Sequence, residues 1–195
     1  MSEACNTLNM DKEPGFTLIE LLIVIVVVTI LLAAGVPAFK DFIKNNRVTA
    51  QANALAVAIQ MGRNEAVKRG VNVVVCASKN ATDVKPKCSG SADWSTGWIT
   101  FADLDGDNLP HDDVKSCPSG GDCFISARDN PLKGNSLTAD DITATSLIYL
   151  PTGVVANGDH HIKLKSKDCV KNQARDIHIT LQGHTIVTTI ACGAA

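Results

Sequence analysis

The feature that most constrains this chain is a run of 21 residues, Phe16–Val36, with a single ionisable group, Glu20, near its start. As a helix rising 1.5 Å per residue, such a run matches a hydrocarbon core of about 30 Å. Beyond Pro37 the chain turns polar, with Gly, Asn, Asp and Thr scattered between short apolar runs. The expectation is one membrane-compatible helix followed by a soluble body, and 195 residues suit one domain plus such an appended element.

Charge and cysteines narrow the class further. The net charge of -2 selects no particular partner. Without residues 1–15 the remainder carries 17 basic and 17 acidic side chains, so bulk electrostatics makes no case for nucleic acid. Of seven cysteines, Cys5 precedes the apolar run and Cys76, Cys88, Cys117, Cys123, Cys169 and Cys192 follow it. Six on the far side of a membrane segment read as up to three disulfides in an oxidising compartment. No Cys-x-x-Cys pair offers the ligand spacing of a zinc site. Fifteen pairings are open. Joining neighbours (Cys76 with Cys88, Cys117 with Cys123, Cys169 with Cys192) closes the shortest loops.

Glu20 asks for its own explanation. A cleaved secretory signal wants a basic first region and a small-residue site after the apolar run. Here the first region is acidic on balance, and "AAGVPA" contains a proline and is followed by further helical pattern. A plain anchor fits the length but leaves Glu20 unexplained, because a charge in a bilayer helix costs about 2.5–3.5 kcal/mol on insertion scales and is retained where it has a partner. The stretch "GFTLIELLIVIVVVTIL" resembles the type IV prepilin signature: Gly15, Phe16, then Glu20 heading an apolar helix. In that family an inner-membrane prepilin peptidase cuts after the glycine and N-methylates the new terminal phenylalanine. The resemblance implies processing at Gly15 and Phe16, and pairing of Glu20 with the terminal amine of a neighbouring subunit during assembly. Methylation keeps the amine's charge, and opposite charges in a low-dielectric bundle attract strongly while an unpaired acid stays costly. The leader departs from the family's short basic pattern, so counting positive charges does not fix orientation.

The helix should continue beyond the apolar run, with a kink or local opening at Gly35 and Pro37. Val48, Ala52, Leu55, Ile59, Gly62 and Ala66 recur at helical spacing as one apolar stripe, with Asn53, Gln60, Asn64 and Lys68 off it. "KRG" at Lys68–Gly70 supplies basic residues in the last turn and a glycine stop, predicting one helix over Phe16–Arg69. Seven short β-branched or aromatic segments follow: Val71–Cys76, Trp98–Phe101, Cys123–Ser126, Thr145–Leu150, His161–Lys165, Asp176–Leu181 and Thr185–Ile190. "LQGHT" reads as a hairpin turn between the last two. The class is α+β, a long helix packed on antiparallel β structure.

The order "AQANALAVAIQMGRNEAVKRGVNVVVC" then "WSTGWITFADLDGD" resembles minor pilins and pseudopilins of the GspH/FimT family, including the FimU type. The resemblance implies the pilin fold. Its division would be residues 1–15 as leader, 16–36 as membrane or filament-core helix, 37–69 as the amphipathic second half, and 70–195 as a β-rich periplasmic domain. It implies a low-abundance, non-enzymatic subunit without a cofactor, priming a type IV pilus (adhesion, twitching motility, DNA uptake) or a type II secretion pseudopilus. Partners would be major and minor pilin subunits, prepilin peptidase and the inner-membrane assembly platform. The protein would be a single-pass inner-membrane protein before it enters the pilus or pseudopilus.

Three clusters invite a ligand. Asp103, Asp105 and Asp107 in "DLDGDNLPHDD", with Asp112 and Asp113, alternate as calcium ligands do, but Asn108 and Val114 break the EF-hand template. An Asp-rich turn capping its own backbone is the preferred reading over a calcium loop. Lys163, Lys165 and Lys167 share one face of a strand, with Lys171 and Arg175 nearby, and could meet DNA phosphates. Against DNA, no aromatic residue follows Tyr149 for base stacking, and the family's arginine-rich motif is absent after Gly183. A solvated lysine face is preferred. His160, His161, His178 and His184 lack a third ligand or a nucleophile nearby in sequence, although His178 and His184 flank a turn that would bring them together. Trp94 and Trp98 are assigned to the core. Nothing argues for an enzyme.

Overall fold

The computed structural model describes residues 15–111, 114–117, 119–129, 135–139 and 144–194. Cys5 and the rest of residues 1–14, with Asp112 and Asp113, lie outside the described residues. The chain divides into two compact units, one ending at Phe42 and one spanning Ile43–Ala195. A single helix, α1 (Leu18–Arg69), contributes to both.

In the first unit α1 is apolar on every side. From Phe16 to Leu32 its large hydrophobic side chains are between 45% and 85% exposed, with no stripe held back for packing. That pattern belongs to a helix meant for lipid or for a bundle rather than for water. The helix runs on through Gly35 and Pro37 without interruption, so no opening of the helical assignment occurs there. The Pro37 side chain lies outside the described residues. Among the described residues no helix is long and apolar enough to cross a membrane. The Ala34 side chain also lies outside the described residues, and the spanning length of Phe16–Val36 is read from the sequence.

In the second unit α1 behaves differently. Val48, Ala52, Leu55, Ile59 and Ala66 are buried, each at most 1% exposed, and form the stripe the spacing predicts. Gly62 sits in that stripe because a Cβ there would come 2.7 Å from Val75 Cγ2. The helix stops at Gly70, whose φ of 67° suits glycine and whose N–H donates to Ala66 O at 2.9 Å.

Among the described residues eight strands follow: β1 (Asn72–Ala77), β2 (Gly97–Asp103), β3 (Cys123–Asp129), β4 (Asn135–Ala139), β5 (Ser146–Tyr149), β6 (His160–Ser166), β7 (Ala174–Ile179) and β8 (Thr185–Ile190). They make two antiparallel sheets of four strands, ordered β3-β2-β1-β5 and β4-β6-β7-β8. The α1 stripe, Val73 and Val75 of β1, Tyr149 of β5, and Ile162, Leu164, Ile177 and Ile179 of β6 and β7 share one core. A second, smaller cluster of Val74, Cys76, Ile99 and Phe101 covers the other face of the first sheet. Burial on both faces explains why β1 reads as an unbroken apolar run instead of alternating. Trp94 and Trp98 are core residues, and Trp94 Nε1 donates to Ala144 O at 3.0 Å.

All seven expected strands are present, and β4 is an addition. The expected turn holds: Thr180 N–H donates to His184 O at 2.9 Å, with Gly183 at a φ of 81°. Three disulfides join Cys76–Cys88, Cys117–Cys123 and Cys169–Cys192, which are the neighbour pairs. The last ties the segment after β8 to the loop between β6 and β7.

Candidate functional site

The start of α1 combines accessibility with one charge. Beyond its own atoms and chain neighbours, nothing among the described residues lies within 4 Å of where a Cβ on Gly15 would sit, and Phe16 is 85% exposed. Thr17 caps the helix, its Oγ1 accepting from Glu20 N–H at 3.2 Å. Threonine followed three residues later by glutamate is a capping-box pattern, and an acid in the first turn also complements the helix dipole. Reading the sequence for lipid alone missed this local role, although "TLIE" carried its signal. Glu20 is exposed and its carboxylate meets no cation among the described residues. The side chain therefore has a helix-starting role within its own chain, and a charge that no cation among the described residues meets.

On the second sheet the expected basic stripe is divided. The burial of β6 alternates, placing Ile162 and Leu164 inside and Lys163 and Lys165 outside. Lys163 stands opposite Asp176 of β7, so an acid interrupts the positive face. Lys167 and Lys171 lie beyond the strand and are exposed. Arg175 corrects the sequence expectation: it is 8% exposed and faces inward. Its Nη2 donates to Asn45 Oδ1 at 2.8 Å and Thr49 Oγ1 at 2.9 Å, and its Nη1 to Ala174 O at 2.9 Å. A guanidinium spent on fastening β7 to α1 is not available to a phosphate.

The histidines also rearrange. His178 meets His161 across the strand pair, rings stacked with centroids 4.2 Å apart, while His184 stays exposed in the turn. His161 Nδ1 lies 2.9 Å from Asp176 Oδ2. His160 is on the buried side of β6.

The loop after β2 differs most from its sequence reading. Asp103 is buried, with Oδ1 accepting from Gly106 N–H at 2.9 Å. Asp105 and Asp107 cap the backbone N–H groups two residues on, as the Asp-rich turn predicts. The fold then adds two groups that were not grouped with them. His111 Nε2 lies 3.0 Å from Asp105 Oδ2 and 3.5 Å from Asp107 Oδ2. Asp122 is fully buried and accepts from Leu104 N–H at 3.1 Å and His111 N–H at 3.3 Å. Burial foremost pushes the carboxyl groups of Asp103 and Asp122 above the usual range, and Asp105 foremost raises His111.

With this geometry in place, comparison with known proteins is decisive for the family. The family described as "Type II transport protein GspH" matches residues 51–183, most of the chain. The chain belongs to the GspH family. A second family, "Prokaryotic N-terminal methylation motif", matches residues 10–36, which contain Gly15, Phe16 and Glu20. The type IV minor pilin FimU of Pseudomonas aeruginosa, in one crystal form, aligns with a TM-score of 0.54 at 14% identity, over 77% of this chain and 98% of FimU. That likeness is one of fold.

Curated relatives match a shorter region. "Prepilin peptidase-dependent protein D" of Escherichia coli is 48% identical over 40 residues, 20% of this chain and 27% of the relative. "Type IV major alpha-pilin" of Moraxella bovis is 45% identical over 47 residues, 24% of this chain and 30% of the relative. A "Fimbrial protein" of Pseudomonas aeruginosa is 32% identical over 73 residues, 37% of this chain and 47% of the relative. The GspH-family chain thus spans less than half the length of these curated relatives. It is a GspH-family chain that carries a prepilin-type N-terminal motif and shares its fold with a type IV minor pilin.

Proposed function

We propose that this protein is made as a prepilin, cut by prepilin peptidase between Gly15 and Phe16, methylated on Phe16, and then incorporated into a type IV pilus or the complex that primes one. Before assembly, Phe16–Val36 holds it in the inner membrane with the β body in the periplasm; afterwards the same segment packs among other pilin subunits. The observation that carries this reading is Glu20, a carboxylate with no cation among the described residues, at the head of a helix apolar on every side. Lipid penalises that charge, and the methylated amine of a neighbouring subunit relieves the penalty.

The test uses the capping geometry. Glu20→Gln keeps the capping-box pattern, which accepts glutamine at this position, and removes only the charge. Incorporation into sheared fibres is expected to fall at least tenfold with processing intact, as read by mass spectrometry of the terminal phenylalanine. Unchanged incorporation rejects the charge latch, and an uncut leader rejects the prepilin reading altogether. A second reading, a GspH-like pseudopilin of a type II secretion system, is favoured by the family match over residues 51–183. It shares this assembly chemistry. Deletion separates the two: loss of pili supports the first and loss of exported enzymes the second. DNA contact has less support, because Arg175 is turned inward and Asp176 interrupts the lysine face.

A further inference from the structure

We propose that the loop between β2 and β3 binds a divalent transition-metal ion, zinc in preference to calcium, through Asp105, Asp107, His111 and Asp122. One ligand atom from each of these four lies within 4.8 Å of all the others. The imidazole nitrogen is 3.0 and 3.5 Å from its two nearest carboxylate oxygens. For bonds of about 2.0–2.2 Å, neighbouring ligands of a tetrahedral ion stand about 3.3–3.6 Å apart. The pocket is therefore near the size of such a shell before any ion enters.

Asp103 is the independent observation that points to a cation. It is 3% exposed, and its Oδ2 is buried with no hydrogen-bond partner. Around the same carboxyl stand the backbone N–H groups of Gly106 and Asn108 and the carboxyls of Asp105 and Asp122. Ionised carboxylates are acceptors only and cannot satisfy one another, so a buried group of this kind either takes up a proton or draws positive charge to it. Backbone N–H groups of Leu104, Gly106 and His111 already fix Asp122 and Asp103 from one side. Four carboxyl groups here share one imidazole, that of His111, and a divalent ion supplies the remaining positive charge.

The donor set decides the metal. Calcium takes six to eight oxygens at 2.3–2.6 Å, whereas this site offers three carboxylates and one imidazole nitrogen. Mixed nitrogen and carboxylate donors suit zinc. Set against the disfavoured calcium alternative of Asp103, Asp105 and Asp107, both ligands and ion differ: Asp103 lies outside the four-residue ligand set, which takes in His111 and Asp122. The Cys117–Cys123 disulfide, beside Asp122, holds the far side of the loop to β3. The site is independent of filament assembly.

The test is calorimetric titration of the tag-free full-length chain in detergent with zinc chloride and, separately, calcium chloride. The paired control is a double variant, Asp107→Asn with His111→Ala, which alters two exposed side chains and leaves buried Asp103 and Asp122 in place. One zinc per chain is expected, with affinity at least tenfold weaker in the variant. At a hundredfold excess over Kd, the wild-type Tm should rise on the order of 5–10 °C. Equal zinc uptake by wild type and variant, no uptake, or displacement of zinc by equimolar calcium would each overturn the proposal.

Discussion

Two stretches of one helix obey opposite rules. Between Leu18 and Phe42, α1 exposes leucine, isoleucine and valine on every side. Between Ile43 and Arg69 it buries one stripe and leaves Asn53, Gln60 and Asn64 off it. Helix propensity is adequate in both, so the difference lies in what each expects to touch. The second stretch finds its apolar partner within its own chain. The first carries a hydrophobic surface that meets no such partner among the described residues.

The same deletion made in each stretch puts that contrast at risk, and should give the largest effect. Leu55 is fully buried, so Leu55→Ala should destabilise the β body by about 2–5 kcal/mol, read as a lower urea midpoint at unchanged slope. Leu31 is 66% exposed, so Leu31→Ala should move the midpoint by no more than about 0.5 kcal/mol. Equal effects would mean that the first stretch is part of the folded core.

Next in size are the disulfides, which belong to the body alone. Cys169–Cys192 spans 23 residues, and constraining a loop of that length is worth about 3 kcal/mol on chain-entropy grounds. Replacing both cysteines with alanine should cost the body about that amount in a chemical melt, while the cleavage proposed after Gly15 proceeds as in the unaltered chain. Slowed processing would show that the two units depend on one another more than their separate packing suggests.

How much of this was legible in advance follows the same division. The α1 stripe and its glycine stop follow from spacing and from one residue's tolerance of positive φ, and the strands from β-branched runs between turns. Pairing was not legible, because β1 contacts β5 about 70 residues away and two sheets form where the alternation of apolar residues suggests only β structure. The strand β4, "NSLTA", has little β-branched character and is fixed by pairing with β6 and by a bridge from Asp93 to Thr138. The loop carboxylates were visible, but Asp122 lies 17 positions beyond Asp105 and reaches them only through the β2–β3 pairing. Arg175 misled for a similar reason: it follows the lysine stripe in sequence, and its partners Asn45 and Thr49 lie some 130 residues away on α1.

That misreading supplies the third prediction. Arg175→Ala should cost about 2 kcal/mol, since it removes charge-assisted bonds from a buried site and strands the Asn45 and Thr49 side chains. DNA mobility shifts at low salt should be the same for variant and wild type. A weaker shift with an unaltered melt would return Arg175 to the surface and reopen the DNA reading.

The smallest effect sharpens the comparison most, because it sets two glutamates of one helix against each other. Glu65 accepts from Arg69 Nε at 2.5 Å, with Lys68 Nζ at 3.6 Å. The Arg69 hydrogen bond foremost holds its carboxyl below the usual range. A depressed folded pKa means that the unfolded chain binds the proton more readily. The stability it contributes is present above the ordinary carboxylate value and is lost as pH falls through the folded one. A helix pair of this spacing is worth about 0.2–0.5 kcal/mol, so Glu65→Gln should lower stability by that much at pH 7 and by nothing at pH 2. Glu20→Gln should leave the melt of the body unchanged at both pH values, because that carboxylate meets no cation among the described residues. A pH-dependent loss for Glu20→Gln in the isolated subunit would mean that its charge is already satisfied within the chain, and a neighbouring terminus would have nothing left to relieve.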